Sequence, residues 1–175
     1  MRGFTLIEIF VAVFVLSIAI GAAFTFLSSG IKIQRETVGN QALLDQTSFL
    51  AEYLSRSLRQ AQKSIGDGFC PPAGENYEVL ATGAIEFLSR EGDCRRISLD
   101  TDEGYGIIKE GKGNPPAITG SGIDIVGLTF VIDGEAETDD KQPRVTFSIH
   151  ARSRSSDAEI FFQTTVSQRD FDVEE

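Results

Sequence analysis

The chain has 175 residues, 41% of them hydrophobic and 24% charged, with a formal net charge of −10. That length holds one compact domain and one further segment, and it excludes a second large core. From Gly66 onward 22 acidic residues stand against 10 basic ones, a balance of −12 that repels phosphates and argues against nucleic acid as the main ligand.

The first element is an apolar run over residues 9–27, interrupted only by Ser17, Gly21 and Thr25. As a helix, such a run rises roughly 28 Å, close to the hydrocarbon thickness of a bilayer, so it is expected to span a membrane. An ordinary secretory signal places a charged start, a shorter apolar region and then a small-residue cleavage site. Here the small residue, Gly3, stands before the run, and the carboxylate of Glu8 sits four residues past Phe4. The string Gly3-Phe4-Thr5-Leu6-Ile7-Glu8 with the run behind it resembles the prepilin signature of type IV pilins, minor pilins and the pseudopilins of type II secretion.

That resemblance implies a leader of residues 1–3, cut between Gly3 and Phe4 by a membrane aspartyl peptidase, the prepilin peptidase, which also methylates the new amine of Phe4. Residues 4–28 then remain in the mature protein as a transmembrane and assembly helix. To Glu8 the resemblance assigns the neutralising of a neighbouring subunit's amine within a fibre. The residue chemistry agrees, because a carboxylate near a bilayer is costly and usually has a partner or a function, and residues four apart share one helix face. The plainer alternative is a glutamate favoured by the helix dipole. The resemblance also implies a cytoplasmic leader and an extracytoplasmic bulk, which charge alone leaves open, since Arg2 stands on one side of the run and Lys32 with Arg35 on the other.

Beyond the run, Leu43, Leu50, Leu54, Leu58, Ala61 and Ile65 recur at spacings of three, four or seven, the mark of an amphipathic helix. No proline intervenes before Pro71, so one helix is expected from Thr5 to about Ile65, with residues 29–65 as its amphipathic second half and Gly21, Gly30 and Gly39 as softer points. The major pilins commonly carry a proline within the apolar part; its absence here points toward a minor pilin or minor pseudopilin. Residues 66–175 are expected to form a globular β-sheet head.

Residues 66–76, rich in glycine and proline, read as a loop. Its Cys70 and the later Cys94 are an even pair in a small exported domain, which reads as a disulfide; it would contribute about 3–4 kcal/mol by closing its loop, the alternative being two buried thiols. The period then falls to two. Short strands are expected over residues 77–81, 84–89, 95–99 and 105–109, with a turn at 90–93 and a loop over 111–122. Stronger alternation follows in Leu128, Phe130 and Ile132, in Val145, Phe147, Ile149 and Ala151, and in Ile160, Phe162, Thr164 and Val166. Three such strands in sequence imply an antiparallel meander with one face toward the helix. The last of them also resembles the closing strand of minor prepilins of the J or W type. The fold class is therefore α+β, a pilin-like long N-terminal helix packed on a C-terminal antiparallel sheet.

Catalytic chemistry has little to rest on. His150 falls on the polar face of its strand, with no nucleophile marked beside it. The glycine pairs Gly111/Gly113 and Gly120/Gly122 lack the strand–loop–helix setting of a phosphate cradle. Two acidic loops, Asp100, Asp102 and Glu103, and Asp133, Glu135, Glu137, Asp139 and Asp140, offer oxygens for Ca²⁺, but neither has the spacing of a calcium loop with its closing glutamate. No enzyme, metal or cofactor is expected. The expected function is that of a structural subunit, with other pilin or pseudopilin subunits, the prepilin peptidase and a membrane assembly platform as partners. A membrane-anchored extracytoplasmic binding module that does not polymerise is the alternative.

Overall fold

A computed structural model of the chain describes residues 5–64, 70–81, 83–113, 115–135 and 141–169. It forms two compact units, Met1–Val38 and Gly39–Glu175. One helix, α1 (Leu6–Arg59), runs through both in sequence. In the second unit α1 buries Gly39, Leu43, Thr47, Leu50, Leu54 and Leu58, a stripe with steps of three and four that covers one helix face.

Gly39 is a contact point rather than a soft spot. A Cβ there would lie 2.8 Å from the Ser155 hydroxyl and 3.0 Å from that of Ser156. The serine turn following residue 153 therefore approaches the helix backbone, and the Ser156 hydroxyl donates to Asn40 Oδ1 at 3.1 Å.

The helix stops about six residues before the periodicity does, and the reason is the fate of its last carbonyls, which lack intrahelical partners. Leu58 O accepts from the Tyr77 hydroxyl at 2.7 Å and from Ala61 N at 3.2 Å. Arg59 O accepts from Arg169 N at 2.9 Å, and two residues past the helix Ala61 O accepts from Gln168 Nε2 at 2.8 Å. From there the chain joins the sheet, Gln62 N donating to Leu88 O at 2.9 Å. Ile65 lies outside the described residues.

The seven strands fall into two antiparallel sheets rather than one. The first holds β1 (Tyr77–Ala81), β2 (Ala84–Leu88), β3 (Cys94–Asp102) and β4 (Tyr105–Glu110), in that order. The second holds β5 (Ile123–Asp133), β6 (Arg144–Ser153) and β7 (Glu159–Ser167), also in order. In β6 buried and less buried residues alternate along the strand, as its sequence predicts.

β5 starts five residues before its visible alternation because of a bulge between Ile125 and Gly127. The extra residue resets the parity, so Ile125 and Leu128, three apart, are both buried while Val126 is exposed.

Where β4 and β5 meet, Asp124 takes the place of a strand partner. Its Oδ1 accepts from Gly106 N at 2.7 Å, and its Oδ2 from Arg152 Nε at 2.7 Å. The approach requires glycine, since a Cβ at Gly106 would lie 1.9 Å from the Ile125 carbonyl oxygen.

The helix stripe and the inner faces of both sheets share one core. Leu50, Leu54 and Leu58 cluster with Phe87, Ile97 and Ile108 of the first sheet and with Leu128, Phe147 and Ile149 of the second. Cys70 and Cys94 form a disulfide with a Cα separation of 5.7 Å, which ties the loop after the helix to β3. Beside it the buried Glu86 pairs with Arg96 and, at 3.7 Å, with Lys112, so its charge is matched despite burial.

Two outcomes follow from these contacts. Gly106→Ala forces backbone against backbone and is expected to cost roughly 3 kcal/mol of unfolding free energy. Gly39→Ala meets two rotatable serine hydroxyls and, at 3.2 Å, the Ser156 Cβ, a turn that has to give only a few tenths of an ångström, and it gains helix propensity, so it stays within about 1 kcal/mol of the parent; urea denaturation of the detergent-solubilised protein measures both.

Burial, with the nearby Glu135 carboxylate second, pushes the Tyr77 phenol well above its usual range. Its folded value is thus raised above the unfolded one of about 10. The stability this provides is complete below pH of about 10 and is lost as the pH rises toward the folded value. Tyr77→Phe is expected to cost about 1 kcal/mol at neutral pH through the lost hydrogen bond, and to flatten the alkaline fall in stability across a pH series.

Candidate functional site

The region that sets this chain apart is the first half of α1. Every described side chain from Thr5 to Val38 is exposed, among them Leu6, Phe10, Phe24 and Phe26. It is the one helix among the described residues that is long and apolar enough to cross a membrane.

The two hydroxyls that interrupt the run, and that of Ser29 just past it, are satisfied within the helix. Ser17 donates to Val13 O at 2.8 Å, Thr25 to Gly21 O at 3.0 Å and Ser29 to Thr25 O at 2.9 Å. A side chain bonded to the carbonyl four residues back presents no unmet donor to its surroundings, which is what a segment facing lipid or other apolar helices requires.

Glu8 lies in the first turn of α1. The helix begins at Thr5 O, which accepts from Glu8 N at 3.1 Å and Ile9 N at 3.3 Å. Between Thr5 and Ile31 Glu8 is the single charged residue, and no cation pairs with it among the described residues. Gly3 and Phe4, the expected processing pair, lie outside the described residues.

The other sequence candidates are placed as follows. Cys70 and Cys94, with Glu86, are the one grouping of potential metal ligands among the described residues, and the disulfide removes both thiolates from that role. Asp100 accepts from Lys109 Nζ at 2.8 Å and from Thr101 N at 2.7 Å; the ammonium first, then the backbone N–H, hold its carboxyl below the usual range. Asp133 pairs with Arg144 at 2.6 Å, and Glu135 accepts from Asn76 N and, at 3.1 Å, from Tyr77 N. These carboxylates are committed to protein donors, and Glu137, Asp139 and Asp140 lie outside the described residues. His150 sits on the outer face of β6, with Nε2 3.4 Å from Glu159 and its ring 6.4 Å from that of Phe161.

Sequence reading passed over two features. One is the set of back-bonded hydroxyls, legible in principle from serine and threonine four residues past a helical carbonyl. The other is a set of arginines gathered around the end of α1 from positions far apart in the chain, for which no local pattern gives a signal.

No protein-family model, curated protein or solved structure matches the chain.

Proposed function

We propose that this chain is a structural subunit of a filament of the type IV pilus or type II secretion kind, a minor pilin or minor pseudopilin rather than an abundant shaft subunit. After the prepilin peptidase removes residues 1–3 at the membrane, the apolar half of α1 holds the subunit in the bilayer with its globular unit outside. An assembly platform then transfers that helix into a bundle of like helices. The role is mechanical, with packing and charge pairing in place of turnover.

The observation that carries this reading is the isolation of Glu8. One carboxylate that has no cation partner among the described residues of an exposed apolar helix is a liability in a mere anchor, whereas a neighbouring subunit's N-terminal amine would supply a counter-charge. The back-bonded hydroxyls of Ser17 and Thr25 support it by leaving residues 9–27 without an unmet side-chain donor, and the small residues Ala12, Ala19, Gly21, Ala22 and Ala23 suit close helix packing. Under the rival reading, a membrane-anchored binding module, the chain has no need of processing at Gly3 or of Glu8.

Mass spectrometry of the protein purified from membranes is expected to show loss of Met1 to Gly3 and one added methyl group on Phe4. An intact N-terminus would remove the pilin reading. Glu8→Gln is expected to leave membrane insertion unchanged while lowering incorporation into sheared filaments by about tenfold or more, since a pair formed in an apolar bundle is lost; wild-type incorporation would take Glu8 out of the mechanism.

A further inference from the structure

The acidic chain carries a concentrated basic feature where α1 ends. Three adjoining clefts share Gln60 among their linings, the first with a volume of about 310 Å³. Together they are lined by Arg56, Arg59, Arg90, Arg95 and Arg169, against only two acidic residues, Glu52 and Glu91. Three of these arginines, Arg90, Arg95 and Arg169, come from the part of the chain from Gly66 onward, whose balance is −12.

The arginines are not all spent within the fold. Arg56 pairs with Glu52 at 2.7 Å, and Arg95 with Glu110 at 3.4 Å and Glu91 at 3.7 Å. Arg90 acts on the Glu91 carboxylate only from beyond contact distance, and among the described residues no carboxylate lies within ion-pairing distance of the Arg59, Arg90 or Arg169 guanidinium. Several like charges around one cleft repel one another and focus a positive field into it. That cost is relieved when carboxylates enter, and the forked guanidinium suits them with two parallel hydrogen bonds.

One wall of the first cleft is aromatic. Phe49 and Tyr53 stack at 5.9 Å on the helix surface, and Phe49 remains 56% exposed. The stack offers an apolar side chain a place to rest between the arginines.

The geometry points to a docking site for an acidic peptide segment of a partner protein, one that presents a bulky apolar side chain between carboxylates. Charge complementarity selects the class. A long phosphate polymer would leave the clefts and meet an acidic surface, which a short peptide avoids. The site belongs to the globular unit alone and stands whether or not the first half of α1 enters a filament.

The test is fluorescence anisotropy on the full-length protein in neutral detergent micelles. The probe is a labelled peptide with two glutamates on each side of a phenylalanine, and the control is the same peptide with lysines. The acidic peptide is expected to bind at least about tenfold more tightly than the control and to weaken markedly with added salt. The double variant Arg90→Glu/Arg169→Glu is expected to lose about tenfold or more of that affinity at unchanged melting temperature. Phe49→Ala, whose exposed ring the fold does not need, is expected to lose severalfold and keeps the test open if the double variant fails to fold. Equal binding of the two peptides, no binding, or unchanged affinity in both variants overturns the proposal. So does stronger competition by oligothymidylate or by micelles doped with phosphatidylglycerol, which would assign the clefts to a phosphate ligand. Binding that appears only after deletion of residues 170–175 overturns it too, by assigning the clefts to the chain's own acidic end.

Discussion

The constraint on which the globular unit depends is the satisfaction of the carbonyls at the end of α1. A helix terminus buried against protein needs donors from elsewhere, and here they come from both ends of the sheet-forming chain. Tyr77, the first residue of β1, reaches Leu58, and Gln168 and Arg169, just after β7, reach Ala61 and Arg59. The helix thus has its stop only when the first and last strands are in place, which couples the two sheets through an element belonging to neither. Asp124 makes a second coupling, holding β4 and β6 by one buried carboxylate. Removing either leaves buried polar groups without partners, a heavier cost than the loss of a surface contact.

Along α1 the backbone chemistry is constant while the side-chain environment is reversed. From Thr5 to Val38 apolar groups are exposed; from Gly39 they are buried in a stripe against the sheets. An α-helix satisfies its own ladder, so it is the one element that passes between such surroundings without rearranging its hydrogen bonds. The back-bonding of Ser17, Thr25 and Ser29 extends that self-sufficiency to the side chains. Glu8 alone cannot be made self-sufficient in this way, because a net charge needs a counter-charge.

Local pattern carried much of this fold into the sequence. The spacing of Leu43, Leu50, Leu54 and Leu58 marks the buried face of α1, and Val145, Phe147, Ile149 and Ala151 mark that of β6, because both periods are set by backbone geometry within a few residues. What stayed hidden depends on distant partners. The stop at Arg59 rests on Tyr77, Gln168 and Arg169, while Ala61 continues the helical spacing and gives no sign of it. The early start of β5 is masked by its bulge, and the division into two sheets turns on the meeting of Gly106 with Ile125. The cysteine pair was readable because only two thiols exist. In the candidate site, Glu8 was conspicuous against an uncharged background, whereas the arginines at the end of α1 were lost in an acidic total.

The two charged features obey different electrostatics, and this would separate the roles proposed for them. A carboxylate such as Glu8, placed among apolar helices, would interact with a cation at low effective dielectric, where a single pair is strong and little screened. The arginines around Gln60 face water, where each pair is weak and an appreciable affinity needs several acting together on one segment. In the proposed bundle, Glu8 would therefore suit a contact made once and kept, in a place where exchange with solvent is suppressed. The arginine clefts suit a contact that forms and releases with ionic conditions and that discriminates by the number and spacing of carboxylates. Gly39 marks the boundary in sequence between these regimes: before it α1 offers apolar surface and one charge, and after it the helix becomes the wall against which the arginines of residues 56, 59, 90, 95 and 169 are gathered.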